Sequence, residues 1–241
     1  MKTGETYQQY ALMAELFRYP GEGLRESVAE VHAMLGQRYP QAEETLQRFV
    51  EWVYNTDDHT VEEVFSRTFH VQAICYLDLG FVLFGEDYKR GEFLVNMKRE
   101  QAEADNPCDE ELPDNLANVL TLLPLLQDES FRDELAGRVL MPALRRMMAE
   151  FHPHKLELRA RELRRKHKAL ILDGQVNINV YHDALLALFQ MLGADFTEVG
   201  FKDYRPRGLD PLRAAAPAAD CGTCSTHPLH RSSKSTSHDP S

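Results

Sequence analysis

Seven carboxylates and no Lys or Arg occupy residues 100–114, a stretch that ends in Glu111-Leu112-Pro113-Asp114. Such a stretch is either a solvated loop between helices or the rim of a groove that attracts arginine, whose guanidinium fork binds carboxylates bidentately. Asp78 poses a sharper question, because it is the lone charge in the apolar run VQAICYLDLGFVLF over residues 71–84. An unpaired charge there is costly. Asp78 must either pair inside the domain, with Arg90 as the available cation, or line a groove and await a cation from outside. Cys221, Cys224, His227 and His230 are different in kind: four metal-competent ligands three residues apart. Zinc fingers place a longer spacer between their two pairs, so that a hairpin and helix can close around the ion. This compact set could chelate a soft metal loosely, with no adjoining core to fix its geometry.

The remaining polar clusters carry less. Asp57-Asp58-His59 and His152-Pro153-His154 read as connections between helices. Residues 155–168 hold seven Lys or Arg against Glu157 and Glu162. A nucleic-acid surface would want interleaved aromatics and a basic chain, so this segment reads as a solvated helix face. The sequence contains no GxSxG, HExxH, GxxxxGK[ST] or GxGxxG. The expectation is a binding protein, not an enzyme, with no cofactor of its own.

Helical spacing supplies the elements that must position these residues. Tyr10, Met13, Ala14 and Phe17 recur at i, i+3, i+4, i+7 and stop at Tyr19-Pro20-Gly21. Leu24, Val28, Val31 and Leu35 form a second stripe closed by Gly36, and Leu46, Phe49, Val50 and Val53 a third. The 71–84 run shows no period, and its length and modest β-branched content favour a helix over a strand. A helix apolar on every side belongs in the middle of a bundle. Further helices are expected over 88–104, 112–126, 130–140, 142–151, 154–170 and 180–192, with Pro142 in a first turn. One short strand-like interruption is expected over 175–179. The sequence therefore predicts an all-α, single-domain bundle of about eight to ten helices around a central buried helix, spanning residues 1–205. Residues 206–241 lack aromatics and read as a disordered tail.

The chain has 241 residues and a formal charge of −11, which argues against general nucleic-acid binding and favours a cationic partner. MKTGETYQQY lacks the basic and apolar regions of a secretory signal. The 71–84 run falls short of the ~20 apolar residues of a membrane span. Four cysteines are too few and too scattered for a disulfide framework. The cytoplasm is the expected compartment, without a membrane or nucleic acid as partner.

In order along residues 12–150, four segments resemble the TorD/NarJ/DmsD family of chaperones that mature molybdenum-containing redox enzymes, and most closely its nitrate-reductase-assembly (NarJ-like) branch. They are Leu16-Phe17-Arg18-Tyr19-Pro20; Phe65-Ser66-Arg67-Thr68-Phe69; Gly85-Glu86-Asp87 with Arg90-Gly91; and Glu111-Leu112-Pro113-Asp114 with Leu116. The chain departs from the family pattern at three positions. His70 stands where Asp is often found, Asn115 replaces the His that commonly follows Pro-Asp, and Ala117 replaces a frequent second proline.

The resemblance implies an all-α chaperone that binds the N-terminal leader of an apo catalytic subunit. Such a leader is a twin-arginine signal or its remnant, and it is held until the molybdenum cofactor is inserted. Cofactor-insertion proteins are possible further partners. An amphipathic leader helix would lay its apolar face in a groove whose rim acids meet its arginines. The residues expected to serve this are Tyr76, Asp78, Asp87, Arg90, Glu111, Leu112, Pro113 and Asp114. Asp78, Asp87 and Asp114 would contact leader cations, and Arg90 would hold the turn and acid loop together. Gly91 would allow close helix approach, and Leu112 and Pro113 would shape the groove wall. Two rival classes remain: a metal or iron–sulfur carrier working through the Cys/His tail, and a small helical enzyme on a nucleotide or isoprenoid substrate. The enzyme would need Asp-rich helix motifs facing one cavity, and the sequence shows none.

Overall fold

Apolar residues recur at helical spacing through most of the computed structural model, which describes residues 7–108, 110–167 and 180–196. The helices in chain order are α1 (Gln8–Ala14), α2 (Leu24–Arg38), α3 (Pro40–Asn55), α4 (Asp58–Phe69), α5 (Leu79–Phe84) and α6 (Tyr88–Glu103). They continue with α7 (Leu116–Leu122), α8 (Glu129–Glu134), α9 (Met141–Glu150), α10 (Pro153–His167) and α11 (Val180–Asp195). Among the described residues there is no strand, only an isolated antiparallel bridge between Asp78 and Asn115. The protein is all-α. The chain divides into units of residues 1–205 and 206–241. The expected tail with Cys221, Cys224, His227 and His230, and the expected interruption at 175–179, lie outside the described residues.

Local chemistry explains most helix ends. α2 does not stop at Gly36 but runs to Arg38, and Tyr39 then breaks it with φ −137°. Pro40, at the first position of α3, disfavours helical backbone in the residue before it. α4 was not expected, yet its signals are ordinary. The Asp57 carboxylate accepts from the Thr60 amide at 3.0 Å, and Val61, Val64, Phe65, Thr68 and Phe69 line the buried face. Asp57-Asp58-His59 is therefore a cap and a first turn, not a loop.

The expected helices at 130–140 and 142–151 are one continuous helix. α8 passes through a wide π turn, Leu135–Leu140, into α9. Pro142 sits just past that turn, where a regular helix would lose a hydrogen bond and clash with the preceding turn. Counting α8 to α9 as one, the eleven helical segments make ten helices among the described residues.

The largest correction concerns residues 71–84, expected to form the central helix. Only Leu79–Phe84 is helical, and residues 70–78 form an irregular connector. Its bend begins at Gln72, with φ +56°, and the amides of Ile74 and Cys75 both donate to the Thr68 carbonyl. The interior instead belongs to α7, buried at six of its seven residues, and α11, which buries Tyr181, Leu185, Leu188 and Leu192 against α3 and α9. Tyr181 is ringed by Phe49, Trp52, Phe65 and Phe69.

Candidate functional site

A six-residue helix cannot hold itself together, because nucleation fixes several residues before its hydrogen bonds accumulate. α5 is held from outside at both ends. At its start, the Asp114 carbonyl accepts from the Leu79 amide at 3.0 Å, and the Asp114 carboxylate accepts from the Gly80 amide at 2.8 Å. Asp78 occupies the capping position but makes no side-chain cap bond. Asp114 therefore caps α5 from across the fold. At the other end, Arg146 of α9 donates to the Val82 and Leu83 carbonyls at 3.1 and 2.6 Å. Gly85 ends the helix with φ +64°, a backbone that favours glycine.

Gly80 makes the capping possible. A Cβ on it would lie 2.7 Å from the Asp114 carboxylate and 2.9 Å from the Phe93 ring. The close-approach role expected of Gly91 thus belongs to Gly80. Gly91 is exposed, with nothing within 4 Å of where its Cβ would lie.

Arg90, on α6, faces the same point. Its guanidinium is 3.6 Å from Asp78 and lies over the Phe81 ring at 5.1 Å. Phe81 in turn meets Tyr76 edge-on at 4.7 Å. The guanidinium thus pairs with Asp78, and its charge also acts on the buried Asp114. Burial and the neighbouring Asp114 charge push the Asp78 carboxyl up to about 6; Glu111 adds to this and Arg90 opposes it. Asp114, fully buried, is also raised, chiefly by burial, with the Gly80 hydrogen bond pulling the other way.

The acid loop is backed by amides. Gln101 donates to the carbonyls of Pro113 at 2.9 Å and Asn118 at 3.1 Å, and Asn118 donates to those of Leu112 at 3.0 Å and Cys108 at 3.2 Å. Asn115 caps α7 through the Ala117 amide at 3.0 Å, and its own amide reaches Glu111 at 3.3 Å. The expected helix start at 112 therefore moves to Leu116, because the amides stabilise an irregular backbone up to Asn115.

Of the residues expected at the site, Tyr76, Asp78, Arg90, Glu111 and Asp114 come together around α5. Tyr76 and Leu112 are 43% and 42% exposed, and Glu111 is exposed as well. Pro113 is half-buried and contributes its carbonyl to the Gln101 bond. Two acids expected to meet cations have roles in the fold. Asp114 is buried on Gly80, and Asp87 caps α6 through the Lys89 amide at 2.9 Å. Sequence reasoning missed Gly80, Phe81 and Gln101. Gln101 alone left a signal, as the polar residue continuing the buried stripe of Phe93 and Met97.

The connector before α5 and the acid loop leave apolar side chains exposed, Val71 at 66% together with Tyr76 and Leu112, and acids among them, exposed Glu111 and half-buried Asp78. That suits an amphipathic cation. Among the described residues no group of three or more His, Cys, Asp or Glu could hold a metal ion, and no helix is long and apolar enough to cross a membrane. The chain matches no protein-family model and no curated protein.

Proposed function

We propose that the chain is a chaperone for molybdoenzyme assembly. It binds the N-terminal leader of an apo catalytic subunit in the cytoplasm and performs no chemistry itself. One observation supports this reading: two of the four segments behind the family resemblance, Gly85-Glu86-Asp87 with Arg90-Gly91 and Glu111-Leu112-Pro113-Asp114, meet at α5. Asp114 of Glu-Leu-Pro-Asp caps its start, Arg90 of Arg-Gly pairs beside that cap, and Gly85 of Gly-Glu-Asp ends it. Shared contact gives the separate resemblances one physical purpose, which is to set Tyr76, Leu112 and Glu111 at the surface. A leader helix would place apolar side chains on Tyr76 and Leu112 and its arginines toward Glu111 and Asp78. Asp114 and Arg90 act as positioning residues beneath them.

Calorimetry with synthetic leader peptides from the molybdopterin subunits encoded in the same genome tests the reading. Saturable binding to at least one is expected. Glu111→Lys and Leu112→Ser should each weaken it about tenfold, or about 1.4 kcal/mol, at unchanged melting temperature. A chain that binds none of these leaders does not have the proposed function.

A further inference from the structure

The charges at the start of α5 do not balance. Asp78, Asp114 and Glu111 are three acids, and Arg90 is the cation that acts on Asp78 among the described residues. The elements packed against α5 carry further cations, but these are engaged elsewhere. Arg146 of α9 donates to the Val82 and Leu83 carbonyls at the far end, and Arg145 lies over the Phe189 ring. Arg138 of the π turn pairs with Glu134 at 2.6 Å.

Asp78 and Asp114 hold their charges differently. The Asp114 carboxylate is fully buried and accepts from the Gly80 amide, a bond that favours its ionised form. The Asp78 carboxylate makes no cap bond, meets Arg90 at 3.6 Å and stays 26% exposed. The Arg90 Nε is itself buried without a partner, so the two groups meet as charges and not as a matched hydrogen-bonded fork. Asp78 is therefore the acid that both a solvent proton and an incoming side chain can reach. Burial, with the Asp114 charge and more weakly that of Glu111, pushes its carboxyl up to about 6 against the pull of Arg90. A guanidinium brought to the same oxygens needs them ionised and supplies the missing positive charge.

We propose that a proton and a leader arginine compete for Asp78, so that the chain takes up its leader at neutral pH and releases it in mild acid. The inference rests on the leader binding proposed above and adds the regulation of that site. The arriving arginine sends the proton to solvent and returns Asp78 toward the ~3.9 of an ordinary aspartate. Affinity is then present above the free-state value, near 6, and is lost as pH falls from there toward about 4.

Calorimetry of the full chain with the tightest-binding synthetic leader, from about pH 5 to about pH 7.5, reads the competition. The dissociation constant should rise about tenfold toward the acid end. Buffers of different ionisation enthalpy should show close to one proton released per leader near pH 5 and almost none near pH 7.5. Asp78→Asn should bind at every pH about as weakly as the wild type does near pH 5, with no release. Glu111→Gln keeps Asp78 and should keep the dependence, with its midpoint moved to lower pH because one like charge has gone. The same leader with its arginines changed to glutamine should release no proton. A pH-independent affinity overturns the inference and leaves leader binding intact, as does a dependence that survives Asp78→Asn or the glutamine leader. Failure of every leader to bind near pH 7.5 overturns the leader reading and this inference with it.

Discussion

At the scale of single residues, Gly80 and Asp78 explain why the site is built as it is. Gly80 lets a buried carboxylate reach a helix amide, and a methyl group there would meet the Asp114 oxygen and the Phe93 ring inside 3 Å. Neither neighbour is the free end of a flexible chain, so both must shift. Gly80→Ala should therefore cost about 1–3 kcal/mol, as overpacking does. Thermal melting should fall by several degrees, and an unchanged transition would mean that α5 yields freely. Asp78 is predicted to destabilise the fold at neutral pH. Its folded pKa, near 6, lies above the ~3.9 of an unfolded Asp. The native state thus holds its proton more tightly, and stability contributed by that proton is lost as pH rises from about 4 to about 6. The ionised group costs the fold up to about 3 kcal/mol above that window. Asp78→Asn keeps the shape, removes the charge and leaves Arg90 to Asp114. The variant should be the more stable by about 1–3 kcal/mol at pH 7 and converge with wild type near pH 4. Urea unfolding across that window checks it, and parallel stability curves would exclude Asp78 as the source.

At the scale of elements, what was legible in the sequence is what local chemistry decides. The stripes Leu24 to Leu35 and Leu46 to Val53 became α2 and α3, and Pro40 set the break between them. α4 was equally legible, since Asp57, Thr60 and the Val61, Val64, Phe65 spacing announce a capped amphipathic helix; two acids and a histidine were mistaken for a loop. The 71–84 run was not legible. A uniformly apolar segment has no period to read, and its form was settled by partners far away in the chain: Asp114 at Gly80, Arg146 at Val82 and Leu83, and Arg159 on the Ala73 carbonyl. The same distance dependence divides the site. The pairing of Asp78 with Arg90 is one of the two alternatives that the cost of a lone buried charge leaves open; the burial of Asp114 is not among the expectations. Nothing local marks one aspartate of an acid-rich stretch as the one that turns inward.

At the scale of the whole molecule, one carboxylate ties α11 to α1 and to the junction of α2 and α3. Asp195, at the end of α11, accepts from the Tyr10 hydroxyl at 2.8 Å, from Gln9 at 3.0 Å and from the Tyr39 hydroxyl at 2.7 Å. Gln9 and Tyr10 lie on α1, and Tyr39 is the residue between α2 and α3. Burial and the Asp195 charge push both phenols up, so they remain donors throughout the physiological range. This node joins segments more than 150 residues apart along the chain, and its effect on cooperativity should be correspondingly broad. Asp195→Ala removes the shared acceptor and leaves the Tyr10 hydroxyl, wholly buried, without its partner. The expected cost is about 2–4 kcal/mol, the penalty of stranding buried donors rather than of losing one bond. Asp195→Asn keeps an acceptor without its charge and should lose about 1 kcal/mol. In urea the midpoint should drop in that order while the slope stays constant, because the surface exposed on unfolding is the same. A reduced slope for Asp195→Ala would mean instead that α11 detaches before the rest, making the carboxylate the clasp that lets the helices unfold as one.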